Sequence, residues 1–132
     1  MPHRSHTLTE KRGMEEPVVD PAALAGLREL QEEGEPDFLS ELVDVFVEDT
    51  GARLVSLQEA IRHLNALAIE AEAHALKGSC LNFGARPMAE VCSALESVSR
   101  SSDLVSAPAL LSQLVVEYDR VRAALSAELA SA

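Results

Sequence analysis

One short segment of the chain sets side chains capable of chemistry at helical spacing: His74, then Lys77 at i+3, Gly78 at i+4 and Leu81 at i+7. On a helix advancing roughly 100° per residue, Ile69, Ala73, Leu76, Cys80 and Phe83 fall within about 40° of one another and form the stripe that must be buried. Leu67, Ala71, His74, Gly78 and Leu81 cluster on the opposite side, where charged residues belong. Small and apolar residues stand there instead, around one imidazole and with no carboxylate on the face. A neutral imidazole is a nucleophile. Lys77, the only lysine in residues 17–132, can offset the negative charge of a group placed on that imidazole. A glycine in mid-helix costs roughly 1 kcal/mol relative to alanine and suits a point where something must approach the backbone. Taken singly, a surface histidine, a tolerated glycine, a lysine and two exposed leucines are ordinary; their conjunction on one face is not. His63, near the end of a helix, suits the dipole there and has nothing organised around it. His3 and His6 are two ligands without a scaffold, so no metal site is expected.

The remaining composition limits what this face can serve. The chain has 132 residues, 47% of them apolar and 3% aromatic, which makes one domain with a core of Leu, Val, Ile and Ala, a composition that favours helix packed on helix. A net charge of −11 repels phosphate backbones and anionic lipid, arguing against nucleic acid or a membrane surface as partner. No apolar run is long enough to span a bilayer and no signal-peptide segment opens the chain, so a cytoplasmic location is expected. Cys80 and Cys92 form no CxxC pair and are expected to be reduced and buried.

The elements that position His74 follow from caps and periodicity. Residues 1–16 lack apolar periodicity and are expected to form a flexible tail, leaving 17–132 as the domain. Asp20 and Pro21 open α1, expected over 21–32 with a stop at Gly34. Apolar steps of three and four from Phe38 to Leu64 give α2 over 37–63. Asn65 caps α3, which continues to about Phe83 and ends at Gly84. Arg86 and Pro87 open α4, with Met88, Val91, Cys92, Leu95 and Val98 inward until serines at 99–102 break the pattern. Ser106-Ala107-Pro108 opens α5, with Leu114, Tyr118, Val121, Leu125 and Leu129 inward. Short connections imply antiparallel neighbours, so the expected fold is all-α: an antiparallel four-helix bundle of α2 to α5 with α1 as an N-terminal cover. No glycine-rich phosphate loop, acidic metal cluster or nucleophile triad occurs, which argues against an autonomous kinase or phosphatase.

The run Ala73-His74-Ala75-Leu76-Lys77-Gly78-Ser79, followed by Asn82-Phe83-Gly84-Ala85 and Cys92-Ser93-Ala94-Leu95-Glu96, resembles the histidine-containing phosphotransfer (HPt) domains of bacterial phosphorelays. Val18-Val19-Asp20-Pro21, Phe38-Leu39 and Val45 to Thr50 extend the resemblance to about residues 17–130. It implies that His74 is the phosphoacceptor, that Lys77 stabilises the phosphoryl charge, that Gly78 leaves room for the phosphoryl group and partner, and that Gly84 shapes the following turn. Leu67, Ala71, Gly78 and Leu81, with Asn82 at the edge, would be the docking surface for response-regulator receiver domains, and a hybrid sensor kinase is a further partner. Magnesium would come from the receiver, with no cofactor held by this chain, which would act as a monomeric stoichiometric carrier. The rival reading is an unphosphorylated adaptor of the same family that binds or sequesters receivers. The initiating Met and the tail favour a free-standing carrier over a piece of a larger kinase. Two departures from the family pattern are Arg62-His63-Leu64-Asn65, where a glycine–aspartate turn is expected, and Gly51, where proline is frequent.

Overall fold

The structure, a computed structural model, describes residues 16–34, 37–101 and 103–130. The tail expected over 1–16 therefore lies, apart from Glu16, outside the described residues. Among the described residues five α-helices follow in order: α1 Pro21–Arg28, α2 Phe38–Arg62, α3 Ala66–Asn82, α4 Arg86–Ser101 and, after a 3-10 turn at Leu104–Ser106, α5 Ala107–Ala130. The caps expected at Asp20 and Asn65 form, and Asp37 adds a third: the carboxylate of Asp20 accepts from the Ala22 N–H, Asp37 from Ser40, and the Asn65 amide oxygen from Ala68. Each satisfies one of the donors that a helix start leaves without an intrahelical partner.

Two boundaries differ from the sequence expectation. α1 ends at Arg28 rather than residue 32. Leu30 and Gln31 donate to carbonyls only three residues back, at Leu27 and Arg28, and the Gln31 side-chain oxygen accepts the Phe38 N–H at the start of α2. Glu29, Glu32 and Glu33 would also stand at the negative end of a longer helix dipole. At the other boundary α4 runs through Ser99 to Ser101. The Ser99 and Ser101 hydroxyls donate to the Glu96 and Val98 carbonyls three residues back and so fold onto the helix instead of breaking it. Val91 and Val98 are only half-buried, and the inward face of α4 includes Glu96 and Ser99.

The core is aliphatic as its composition requires. Leu24, Leu57, Ile69, Leu76, Met88 and Leu95 are among its fully enclosed members, joined by Leu114, Val121 and Leu125 of α5. Phe46 meets the Phe83 ring edge-on at 5.0 Å. The hydroxyl of Tyr118, on α5, donates to the Val47 carbonyl of α2 at 2.8 Å, so the one polar atom of this buried ring is partnered. Both cysteines are free and buried; the contact with Cys92, together with burial, pushes the Cys80 thiol up and keeps it protonated. α1 covers one end of the bundle. Its start is tied to the α3–α4 turn by the Asp20 N–H donating to Phe83 O, and its end to α5 by the Arg28 guanidinium donating to Glu128 O at 3.0 Å.

Both ends of α3 are set by the same kind of turn. After α2, Asn65 N–H donates to Ala60 O and Leu64 N–H to Ile61 O; after α3, Ala85 N–H donates to Cys80 O and Gly84 N–H to Leu81 O. Each turn needs one residue in the left-handed region, Leu64 at φ +53° and Gly84 at φ +64°. Glycine is required twice over at 84, because a Cβ there would overlap the Asp20 side chain that starts α1. Leu64, within the segment that stands where a glycine–aspartate turn is expected, carries a steric cost of about 1–2 kcal/mol at its positive φ. Leu64→Gly is therefore expected to stabilise the fold by about 0.5–1 kcal/mol after the entropy of glycine is subtracted. Gly84→Ala should destabilise it by about 2–4 kcal/mol, combining the same strain with overpacking. Urea unfolding of both variants checks the pair, and equal effects of one sign would contradict the assignment.

Candidate functional site

The inward stripe of α3 sets the site. Ile69, Ala73, Leu76 and Cys80 are fully buried, chiefly against α4, and this turns the other side of the helix to solvent. The His74 side chain is 72% exposed. Leu67 and Leu81 are exposed at 82% and 54%, and Ala71, Gly78 and Asn82 are exposed as well. The structure thus brings together the expected outward residues along a single helix face. Asn82 also lines a cleft of about 310 Å³ between α1, α2 and α3, whose walls include Leu27, Phe38, Leu42 and Val45. Gly84 does not join this face; it is buried in the turn under Asp20.

Gly78 has no packing reason within the chain. A Cβ added there would meet nothing within 4 Å, so the roughly 1 kcal/mol that a helical glycine costs is not offset by any close internal contact. What the missing side chain leaves free is the approach from outside, one turn from His74.

Beneath the imidazole the sequence expectation needs correcting, because the face is not free of carboxylates. Glu96 reaches across from α4 with its side chain only 3% exposed and places Oε2 3.1 Å from His74 Nδ1. Its other oxygen, Oε1, lies 2.6 Å from Lys77 Nζ. Arg100, one turn along α4, sets a guanidinium nitrogen 3.3 Å from Glu96 Oε2 and its Nε 3.3 Å from Glu70 Oε1. Glu70 stands one turn before His74 on α3, so the network runs from α3 to α4 and back. Lys77, the one lysine of residues 17–132, is an ion-pair partner of Glu96 with 30% of its side chain exposed. Burial alone would push the Glu96 carboxyl up, but the Lys77 ammonium and the His74 imidazole bonded to it hold it below the ordinary carboxylate value. It is therefore an anion at neutral pH. No hydrogen bond or ion pair engages His74 Nε2 among the described residues.

Glu96 was accessible to simple hairpin counting. α3 and α4 are antiparallel about Gly84, with His74 ten residues before it and Glu96 twelve residues after it, which brings the two to the same level. The i,i+4 pair Glu96 and Arg100 reads, in sequence alone, as an ordinary solvated pair. Among the described residues no group of three or more His, Cys, Asp or Glu side chains is arranged to hold a metal ion, and no helix is long and apolar enough to cross a membrane.

A family model for the Hpt domain matches residues 41–124, from early α2 to late α5. The chain is 26% identical over 102 residues to histidine-containing phosphotransfer protein 2 of Arabidopsis thaliana, covering 75% of this chain and 65% of that protein. It is 28% identical over 102 residues to protein 5 of the same plant, with the same coverage. The chain thus spans about 65% of the length of these curated relatives. Among solved structures it resembles histidine-containing phosphotransfer protein B from Pseudomonas aeruginosa with a TM-score of 0.77 and 37% identity, covering 85% of this chain and 94% of that one. It also resembles the Medicago truncatula protein MtHPt2, with a TM-score of 0.74 and 26% identity over 98% and 92% of the two chains.

The depressed Glu96 carboxyl has a stability consequence with a definite sign. A carboxylate held below its unfolded value adds stability that is full above that value and is lost as pH falls through the folded one. Glu96→Gln should therefore be less stable than wild type by about 1–3 kcal/mol at neutral pH. The gap should shrink as pH drops below 4.5. Urea unfolding over a pH series measures it, and a gap constant into acid would contradict an ionised Glu96.

Proposed function

The chain belongs to the Hpt domain family, and from that premise we propose that it is a phosphorelay carrier: His74 accepts a phosphoryl group from a receiver-domain aspartate and passes it to another receiver. The observation that supports this most is an imidazole anchored from below through Nδ1 while its other nitrogen faces solvent on an apolar, small-residue face. The neutral ring attacks the phosphorus of an aspartyl phosphate in line, a nitrogen–phosphorus bond forms, and the electron pair of the breaking oxygen–phosphorus bond leaves with the aspartate carboxylate. The reverse step restores the ring and phosphorylates the next receiver.

In this reading Lys77, held one turn from His74, offsets the charge of the arriving phosphoryl group. Gly78 lets the receiver come close, and Leu67, Ala71 and Leu81 cover the transferring group against water, with Asn82 at the edge of the contact. Gly84 serves the turn that sets α4 beneath the imidazole. Magnesium belongs to the receiver. The chain acts in the cytoplasm as a monomer, turns over once per transfer, and draws its phosphoryl group from receivers or from the receiver of a hybrid sensor kinase. A small apolar face suits such transient docking better than an obligate dimer.

Intact mass after mixing with a phosphorylated receiver and magnesium tests the proposal. Wild type should gain one phosphoryl group, stable to base and lost in acid, and His74→Gln should gain none. Binding to several receivers without any gain would replace the carrier by an adaptor. Gly78→Glu should keep the helical fold, since the added side chain enters open space, yet lose transfer through steric block and repulsion. Wild-type transfer in that variant would refute docking over Gly78.

A further inference from the structure

We propose that the docking surface continues past Leu67 onto the end of the bundle, where Leu64 and Val105 form an apolar rim that seats an apolar flank of the receiver. This rim deepens the carrier reading above and rests on it. Among the described residues Val105, Leu67 and Leu64 are the most exposed large apolar side chains, at 87%, 82% and 69%. They come from three separate places in the chain: the α2–α3 turn, the first turn of α3 and the 3-10 turn before α5. The fold nevertheless gathers them at one end, where Leu64, Ala66, Leu104 and Val105 line a shallow depression of about 520 Å³. The charges around it are engaged within the chain. Arg62 pairs with Glu59 one turn back on α2, and the Asp103 carboxylate accepts the Val105 N–H and so starts the turn that presents Val105. The chemistry left for a partner is aliphatic.

Leu64 is costly to the isolated chain in two ways. Its backbone stands at φ +53°, a conformation that glycine adopts without strain, and its side chain is left in water. Neither cost is returned by the core, of which Leu64 is not a member. Strain that the fold does not use is found where a contact with another molecule does.

The size of a receiver's footprint points to the same place. At about 1.5 Å of rise per residue, Leu67 and Leu81, seven residues to either side of His74, stand about 10 Å from it along α3. A weak, transient interface covers about 600 Å² on each partner, a disc of about 14 Å radius. A receiver centred on His74 therefore reaches beyond Leu67, and the surface that continues from Leu67 is this rim. The exposure of Leu67 is thus shared by the two parts of one contact.

The test uses the full chain as wild type, Leu64→Gly, Val105→Asp and Val105→Leu. Phosphoryl uptake is followed by intact mass over a concentration series of a receiver phosphorylated by acetyl phosphate with magnesium and, separately, with phosphoramidate, which needs no docking. Leu64→Gly and Val105→Asp should each raise the half-saturating receiver concentration about 5- to 10-fold, the worth of burying one aliphatic side chain. The limiting rate should hold, as expected of a contact made equally before and during transfer. Val105→Leu, which keeps the aliphatic surface, should behave as wild type. Leu64→Gly is the sharper variant, because it should bind the receiver less well while resisting urea better. Wild-type half-saturation in both Leu64→Gly and Val105→Asp overturns the rim and leaves the carrier reading standing. Slower uptake from phosphoramidate by either variant would place the effect at the imidazole and overturn the rim as well. A wild-type dimer that both variants lose in sedimentation would give the surface to a second copy of this chain, against the proposal. Uptake by wild type from phosphoramidate but from no receiver would remove the carrier reading and the rim with it.

Discussion

Ile69, Ala73, Leu76 and Cys80 lose all of their exposure in the bundle core, chiefly against α4, and the rest of the structure depends on that seam. A helix is rigid enough that burying one stripe dictates where every other side chain points. With the stripe seated, His74 has to face outward, and the antiparallel return through Gly84 has to set α4 beneath it. The residues that do chemistry are thus placed by residues that do none.

Several features around His74 run against the stability of the isolated chain. Gly78 weakens its helix without relieving any crowding, Leu67 and Leu81 leave large apolar surfaces in water, and Glu96 is removed from solvent at an energetic cost that its cations must offset. Of these only the Glu96 charge is offset locally, by Lys77 and Arg100, and the remaining support comes from the aliphatic core and the capped ends.

Much of this was legible in the residues. The period of 3.6 located the helices, and Asp20, Asn65 and Gly84 marked boundaries because caps and left-handed turns have few chemical solutions. What was not legible is instructive. Glu96 pairs with Arg100 on its own helix and also with His74 and Lys77 across on α3, and helical periodicity is blind to that second pairing. The serine-rich stretch 99–102 predicts a break in α4, since serine favours turns, but the Ser99 and Ser101 hydroxyls bond back to carbonyls of their own helix. The early end of α1 depends on Gln31 engaging the next helix, a tertiary event.

One consequence of the α2–α5 seam is optical. The chain has no tryptophan and a single tyrosine, and that ring is 7% exposed, with its hydroxyl on Val47 O and its face beneath the Arg122 guanidinium. The tyrosine bands in its near-ultraviolet absorption, circular dichroism and emission therefore come from one site inside the bundle. The protein carries its own gauge of closure between the second and last helices, and that gauge sits in the core rather than on the surface where His74 meets solvent.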